Sequence, residues 1–456
     1  MAVERKVEQL SHLDMTIGNN QARHSLLNLF DAESFIELEA YRCCGVIIGY
    51  GTIEGKPVYA FSQVQEENYG AVSLAQAQKI KRLYDLAIQT GNPIVGIYNS
   101  YGAQIDEGLN VLNAYGEILA CVNHASGVIP QVSVIAGSCI GAAAMVACSA
   151  DIVILTKQGE LSFEYSSAAT NTTEDAMQSG GVHLIADDLS NAMLQTRKLL
   201  TLLPSNNLVN ASTFTFEPPE NNGFYKKNNE NIIQNICDPG ISIELQAEYG
   251  ECISTILTSI GGRPVGVIST FYEKKTICAK DANKAARFIQ FCDSFHLPIV
   301  SFIDTNDGNR ESKGVDAIRY FSKMAHVLSE ATTPKIAVIA GECYGSAFIA
   351  FASKSVGADL IIAWTDASIS VLPLDTSVEF FWHDKLKGAV NTAQKREQLI
   401  DEYRRTNASS IAAAAGGFVD LVISPEQTRN TIVTALNMLL EKRVTNLPKK
   451  HGNMPL

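Results

Sequence analysis

Two stretches of the sequence carry residue types suited to main-chain chemistry. "VIAGSCIGAAA" spans Val134–Ala144 and "VIAGECYGSAF" spans Val338–Phe348. In each, a β-branched run closes on a glycine, a cysteine follows, and small residues come after a second glycine. The pattern predicts a strand that ends as a helix of small residues begins. The first turn of a helix has N–H groups with no intrahelical partner, and the aligned peptide dipoles favour negative charge there. A ligand oxygen reaches such groups only where side chains are absent, which is the physical requirement of an oxyanion hole. The alternative is that glycine and alanine merely let the helix pack close to a sheet. One copy alone does not decide between the two. Recurrence at equivalent positions favours function, since Gly137 and Gly341, Cys139 and Cys343, and Gly141 and Gly345 are each 204 residues apart. Two such sites would suit a reaction with two enolate-like partners, one a thioester whose α-carbon turns acidic as its carbonyl is polarised. No Ser–His–Asp set accompanies them, and no histidine follows Cys139 or Cys343 at a telling spacing, so a nucleophilic cysteine is not expected.

Other residues admit chemistry but favour structural readings. Lys79, Lys81 and Arg82 fall within one turn of a predicted helix, which suggests a solvated basic face or, alternatively, contact with phosphates. Asp106 and Glu107 are candidate proton acceptors expected to be structural, and His183 in "SGGVHL" is expected to be a satisfied core histidine. The ten cysteines include no C-x-x-C pair, which argues against a zinc ribbon or dithiol redox motif and for reduced, largely buried thiols. A formal net charge of −12 argues against nucleic acid as a partner. The start of the sequence is charged and lacks the apolar stretch of a signal peptide. No uncharged run reaches the roughly eighteen apolar residues of a membrane span. The expectation is a cytoplasmic protein.

The elements that must position these stretches repeat with them. "GNPIVGIYNSYGAQIDEG" (91–108) matches "HLPIVSFIDTNDGNRESKG" (296–314), and "GYGTIEGKPVYAFS" (49–62) resembles "TSIGGRPVGVIST" (258–270). Three segments in one order at nearly one offset make two copies of a domain of about two hundred residues. The Asn-, Pro- and Gly-rich stretch 204–240 reads as the crossover, and the expected domains are 1–228 and 229–456. Within a copy, short apolar runs such as "PIVGIYN" and "QVSVIAG" alternate with helical periodicities. Ala77, Ile80, Leu83, Tyr84 and Ala87 recur at spacings of three and four before a capping Gly91. Short strands alternating with crossover helices indicate an α/β fold with parallel strands.

With these elements in place, the chain resembles the carboxyltransferase component of biotin-dependent acyl-CoA carboxylases, a group within the crotonase-like superfamily. The resemblance runs from about Leu26 to Leu440. Its motifs include "LFDAESFIELEAY", "YGAQIDEG", "ASGVIPQVSVIAGSCIGAA", "LLPSNN", "KAARFIQFCDSFHLPIV", "EATTPKIAVI", "YGSAFIAFASKSVGADLIIAW" and "NASSIAAAAGGFVDLVI". It implies two tandem crotonase-like (ClpP/crotonase) β-β-α superhelical domains. It implies transfer of CO2 between N-carboxybiotin on a carrier and the α-carbon of an acyl-CoA, with released biotin taking the α-proton. The backbone donors it implies are Gly141 and Ala142 in the first half, for the acyl-CoA carbonyl, and Ser346 and Ala347 in the second, for the biotin ureido oxygen; the reverse assignment stays open. Gly102, Ala103, Cys139, Tyr344 and Gly345 would line the substrate. No metal is implied. No lysine stands in a biotin-attachment "MKM" context, so biotin carrier protein and biotin carboxylase would be separate chains, serving a homo-oligomer (hexamer or dimer). Several loops depart from the family pattern: Tyr101–Gly102–Ala103–Gln104 stands for "GGAR", "YGSAF" for "YGGAY", and "VLPLDTSVEFFWHDKL" for the segment beginning "MGPEGA". The loops after Phe163 and Asp304 are shortened. Two alternatives therefore stand beside the carboxyltransferase reading: a decarboxylase α-subunit acting on a β-carboxyacyl-CoA, and a non-catalytic homologue with a scaffold role.

Overall fold

A computed structural model describes residues 20–163, 173–219, 228–271, 277–305, 315–386, 392–444 and 447–455. The N-terminal residues 1–19 and the two segments expected from the sequence to be short, after Phe163 and after Asp304, fall largely outside the described residues. The chain forms two compact units, Met1–Asn210 and Ala211–Leu456, and their division falls within the crossover stretch 204–240.

In the first unit the strands are β1 (Ile36–Leu38), β2 (Val46–Ile53), β3 (Lys56–Gln63), β4 (Ile94–Ser100), β5 (Gln131–Ile140), β6 (Ile152–Thr156), β7 (Glu160–Ser162) and β8 (Leu184–Ala186). The helices are α1 (Gln21–Leu29), α2 (Leu74–Thr90), α3 (Asn110–Ala125), α4 (Ala142–Ala147), α5 (Thr173–Gln178) and α6 (Leu189–Leu202). The strands form one sheet in the order β1-β2-β3-β4-β5-β6-β8, with β7 beside the end of β5. The pairs β1–β2 and β2–β3 are antiparallel, and every later pair is parallel. The central strands are apolar almost throughout, as parallel strands covered on both faces must be. α2 shows why the helices form where they do. The Ser73 side chain accepts the Gln76 N–H at its start, and Gly91, at φ 63°, takes the left-handed position that ends it. Ala77, Ile80, Leu83, Tyr84 and Ala87 are all buried in the first core.

The second unit repeats the plan. Its strands are β9 (Ser242–Leu245), β10 (Ser254–Ile260), β11 (Arg263–Ser269), β12 (Ile299–Thr305), β13 (Lys335–Tyr344), β14 (Leu360–Trp364), β15 (Ser368–Ser370) and β16 (Leu421–Ile423). Its helices are α7 (Asn229–Asn235), α8 (Ala279–Ser294), α9 (Val315–Glu330), α10 (Gly345–Ala352), α11 (Leu374–Phe381), α12 (His383–Leu386), α13 (Thr392–Thr406), α14 (Ser410–Ala415) and α15 (Thr428–Met438). The sheet order β9-β10-β11-β12-β13-β14-β16, with β15 beside β13, matches the first strand for strand. α11 and α13 are additions that cover Tyr344 with Leu374, Val378, Leu399 and Tyr403. Among the described residues no helix is long and apolar enough to cross a membrane.

Candidate functional site

The first candidate site is built where β4 and β5 end. Their register shifts between Tyr98 and Ser100, where Ser100 comes opposite Cys139. This irregularity frees the chain after Ser100 to turn. Ser100 Oγ then accepts the Gly102 N–H at 3.1 Å, and the Gly102 carbonyl accepts the Val72 N–H at 2.8 Å. A Cβ on Gly102 would lie 3.5 Å from the Ile140 carbonyl oxygen, so the Gly102–Ala103 peptide sits beside the start of α4. Gly102, Ala103, Cys139, Gly141 and Ala142 are thus brought together.

Their roles differ from those expected. Gly141 turns the chain into α4 at φ 65°, ψ −127°, and its N–H donates to the Ser162 carbonyl at 2.9 Å. Gly141 is therefore not available as a donor, because β7 has claimed it. The N–H groups of Ala142 and Ala103 have no acceptor among the described residues. Cys139 is fully buried, and burial pushes its thiol far above the ordinary range. A thiol held neutral in this way is neither a nucleophile nor a base, and its side chain does not face a ligand.

The second candidate site repeats the geometry at the end of β13. The β12–β13 register shifts at the matching place, with Thr305 opposite Cys343. Tyr344 ends the strand and Gly345, at φ 52°, opens α10. Ser346 is exposed in its first turn, while Ala347 is buried behind it. The Tyr344 ring is buried under α11 and α13, and burial raises its hydroxyl well above the usual phenol range. Gly345, Ser346 and Ala347 thus present mainly main chain, while Tyr344 serves as support.

The remaining candidates resolve as structure. Lys79 is buried, and its Nζ donates to the carbonyls of Arg42 (3.2 Å) and Val46 (3.0 Å). It belongs neither to a solvated face nor to a phosphate site. Its place on the stripe Gln76–Ile80–Leu83 was the signal for this. Lys81 pairs with Asp85 one turn on. Glu107 accepts the Leu74 N–H at 2.7 Å, capping α2. The His183 Nδ1 accepts the Val153 N–H at 3.1 Å inside the core. Beside α4 lies a cavity of about 460 Å³, lined among others by Ala144, Met145 and Cys148, which sequence reasoning did not anticipate. Among the described residues no three His, Cys, Asp or Glu side chains cluster as a metal site would need.

Comparison with known proteins gives these arrangements a context. A family model described as the carboxyl transferase domain matches residues 15–454. The methylmalonyl-CoA decarboxylase subunit alpha of Veillonella parvula is 36% identical, over 96% of this chain and 94% of the relative. The methylmalonyl-CoA carboxyltransferase 12S subunit of Propionibacterium freudenreichii subsp. shermanii is 33% identical, over 99% of this chain and 94% of that one. Among solved structures, transcarboxylase 12S, described as a hexamer with methylmalonyl-coenzyme A and methylmalonic acid bound, superposes with a TM-score of 0.90. That match is 31% identical and covers 100% of this chain and 98% of the other.

Proposed function

The chain belongs to the carboxyl transferase family, built as two tandem crotonase-like domains, and from that premise we propose that it moves CO2 between biotin on a separate carrier chain and the α-carbon of an acyl-CoA. The coarse activity, acyl-CoA carboxyltransferase, follows from the family. The observation that carries the finer reading is the pair of main-chain donors, Ala103 and Ala142, that have no acceptor among the described residues, in segments that meet where Gly102 approaches the Ile140 carbonyl.

In this reading those two N–H groups hold the thioester oxygen as negative charge develops on it, and Ser346 with Ala347 serve the ureido oxygen of biotin. The start of α10 fits a flat polar group, because Gly345 has no side chain and Ser346 faces outward. Biotin, once presented by its carrier, supplies the carboxyl group and takes up the α-proton. The chain's part is to orient the two reactants and to provide fixed dipoles. Cys139 is not placed to take that proton, since it is buried and neutral. A homo-oligomer is the proposed assembly, supported by the hexamer of transcarboxylase 12S. The relationship to the Veillonella decarboxylase subunit favours one second reading, the same transfer run from a β-carboxyacyl-CoA to biotin.

The test supplies purified protein with free biotin and a panel of acyl-CoA and malonyl-type CoA esters, and follows carboxyl exchange. Exchange is expected, and its preferred direction separates the two readings. Absence of turnover together with absence of CoA-ester binding by calorimetry overturns both and leaves a scaffold role.

A further inference from the structure

Ser100 closes β4 and is fully buried, with Tyr115 of α3 beside it and Cys139 opposite. Its hydroxyl holds both ends of Gly102. Oγ accepts the Gly102 N–H at 3.1 Å and donates to the Gly102 carbonyl at 3.3 Å. That carbonyl belongs to the same rigid, planar peptide as the Ala103 N–H, and in a trans peptide the two point in opposite directions. Whatever fixes the carbonyl therefore aims the N–H. We propose that Ser100 is a positioning residue that aims the Ala103 N–H at the thioester oxygen; this rests on the carboxyltransferase reading above.

Three observations carry the assignment. The first is the backbone of Gly102, at φ 106°. A glycine just ahead of a donor leaves that donor's direction loose unless something holds it. The second is the pairing of Val72 with Ala103. The Val72 N–H donates to the Gly102 carbonyl at 2.8 Å, and the Val72 carbonyl accepts the Gln104 N–H at 3.0 Å. In this parallel pattern the N–H of Ala103 itself faces away from Val72. Two bonds to one residue act as a hinge, and the Ser100 hydroxyl is the third point that locks it. The third observation is burial. Ser100 is sealed from solvent, so its bonds are not traded for bonds to water, and a donor fixed in advance needs no reorganisation as charge develops. A serine that bonds the backbone two residues on is a common turn device, and that accounts for the Gly102 N–H. The bond to the Gly102 carbonyl is what couples the hydroxyl to the donor. In the second half Thr305, also buried, takes the matching place opposite Cys343, so a threonine fits such a strand end.

Two measurements on the full-length protein test this: carboxyl exchange with methylmalonyl-CoA and free biotin, and infrared spectroscopy of bound propionyl-CoA labelled at the thioester carbonyl. Ser100→Ala is expected to lower kcat about 10–100-fold at the parental KM, and Ser100→Thr to restore most of the rate. The thioester C=O stretch is expected to fall on binding to the parent and to fall less on binding to Ser100→Ala. A purely structural role moves the melting temperature and leaves that stretch unchanged. If Ser100→Ala does not fold, Ser100→Cys, close in size and a weaker donor, takes its place with the same expectation. Parental kcat in Ser100→Ala overturns the proposal. So does a loss of rate that leaves the stretch as in the parent, or one that Ser100→Thr does not restore. In each of these cases exchange by the parent keeps the carboxyltransferase reading intact. Only absence of exchange by the parent with every CoA ester of the panel removes that reading, and this proposal with it.

Discussion

Gly137 and Gly341 show what the repeated "VIAG" is for. A Cβ on Gly341 would lie 2.3 Å from Asp304 Cγ, and one on Gly137 would lie 2.3 Å from Asn99 Oδ1. In both halves a polar side chain from the end of the neighbouring strand crosses over the glycine. In the second half the Asp304 carboxylate also accepts the Glu342 N–H at 2.9 Å. Neither glycine needs a left-handed backbone, so the close approach alone excludes other residues. Gly341→Ala is accordingly expected to cost about 1–3 kcal/mol through overpacking. Asp304→Ala removes the obstacle at the expense of an unpaired Glu342 N–H. The double variant should be less destabilised than the sum of the singles, by about 0.5 kcal/mol or more. Melting of the four proteins decides the point, and simple additivity rejects the clash as the cause. A buried lysine makes the complementary case. Lys284 occupies in α8 the place of Lys79 in α2, but its buried Nζ has no hydrogen-bond partner among the described residues, and burial lowers its pKa to about 8.

Among the elements, the hairpins that begin each sheet are tied in the same way. The turn Glu54–Gly55 has φ of 49° and 76°, and Gly261–Gly262 has 63° and 77°, the two positive values of the tight turn that suits twisted strands. Asp31 accepts Thr52 Oγ1, the Glu54 and Gly55 N–H groups, and Arg197. Asp238 accepts Ser259 Oγ, the Gly261 and Gly262 N–H groups, and Arg429. In each half, a carboxylate just before the sheet's first strand is thus locked by an arginine from a late helix. The Gly55 N–H, followed by Arg197, Thr52 and the Glu54 N–H, outweighs partial burial and holds the Asp31 carboxyl far below its ordinary value. A depressed carboxyl contributes stability above its unfolded pKa of about 3.9 and loses it as pH falls toward the folded value. Asp31→Asn is therefore expected to lower stability by about 2 kcal/mol at pH 7, with the gap to the parent closing as pH falls below about 4. Melting curves at pH 7 and at about pH 2.5 test this, and a gap that stays constant with pH would falsify the ionic account. These clamps also mark the limit of what a sequence discloses. The strand–helix alternation, the duplication and the small-residue helix starts were legible, because periodicity and repeated glycines are local signals. The commitment of Gly141 to Ser162 and the pairing of Asp31 with Arg197 were not, because each depends on a partner that only the folded sheet brings near.

At the scale of the whole molecule, the duplication gives one chain two helix starts of the same kind, and the proposed reaction gives each a different charge to hold. Proline tests this with little damage to the fold. It is tolerated in the first turn of a helix, where its missing N–H has no intrahelical role. Ala142 is the first residue of α4 and Ser346 the second of α10. Ala142→Pro should therefore remove a donor from the thioester oxygen, and Ser346→Pro one from the biotin side. Each is expected to lower kcat for carboxyl exchange by about 10²–10³, the usual loss on deleting one oxyanion donor. If the two sites stabilise separate charges in one transfer, the double variant loses the product of the two factors. If the double variant is no worse than either single, the two helix starts act on one charge as a unit, and the assignment of one reactant to each half fails. Far-ultraviolet circular dichroism of the three variants should match the parent, so that any loss is read as chemistry. A loss confined to Ala142→Pro, with Ser346→Pro at parental rate, removes α10 from the reaction and leaves the second copy of the motif as a packing element.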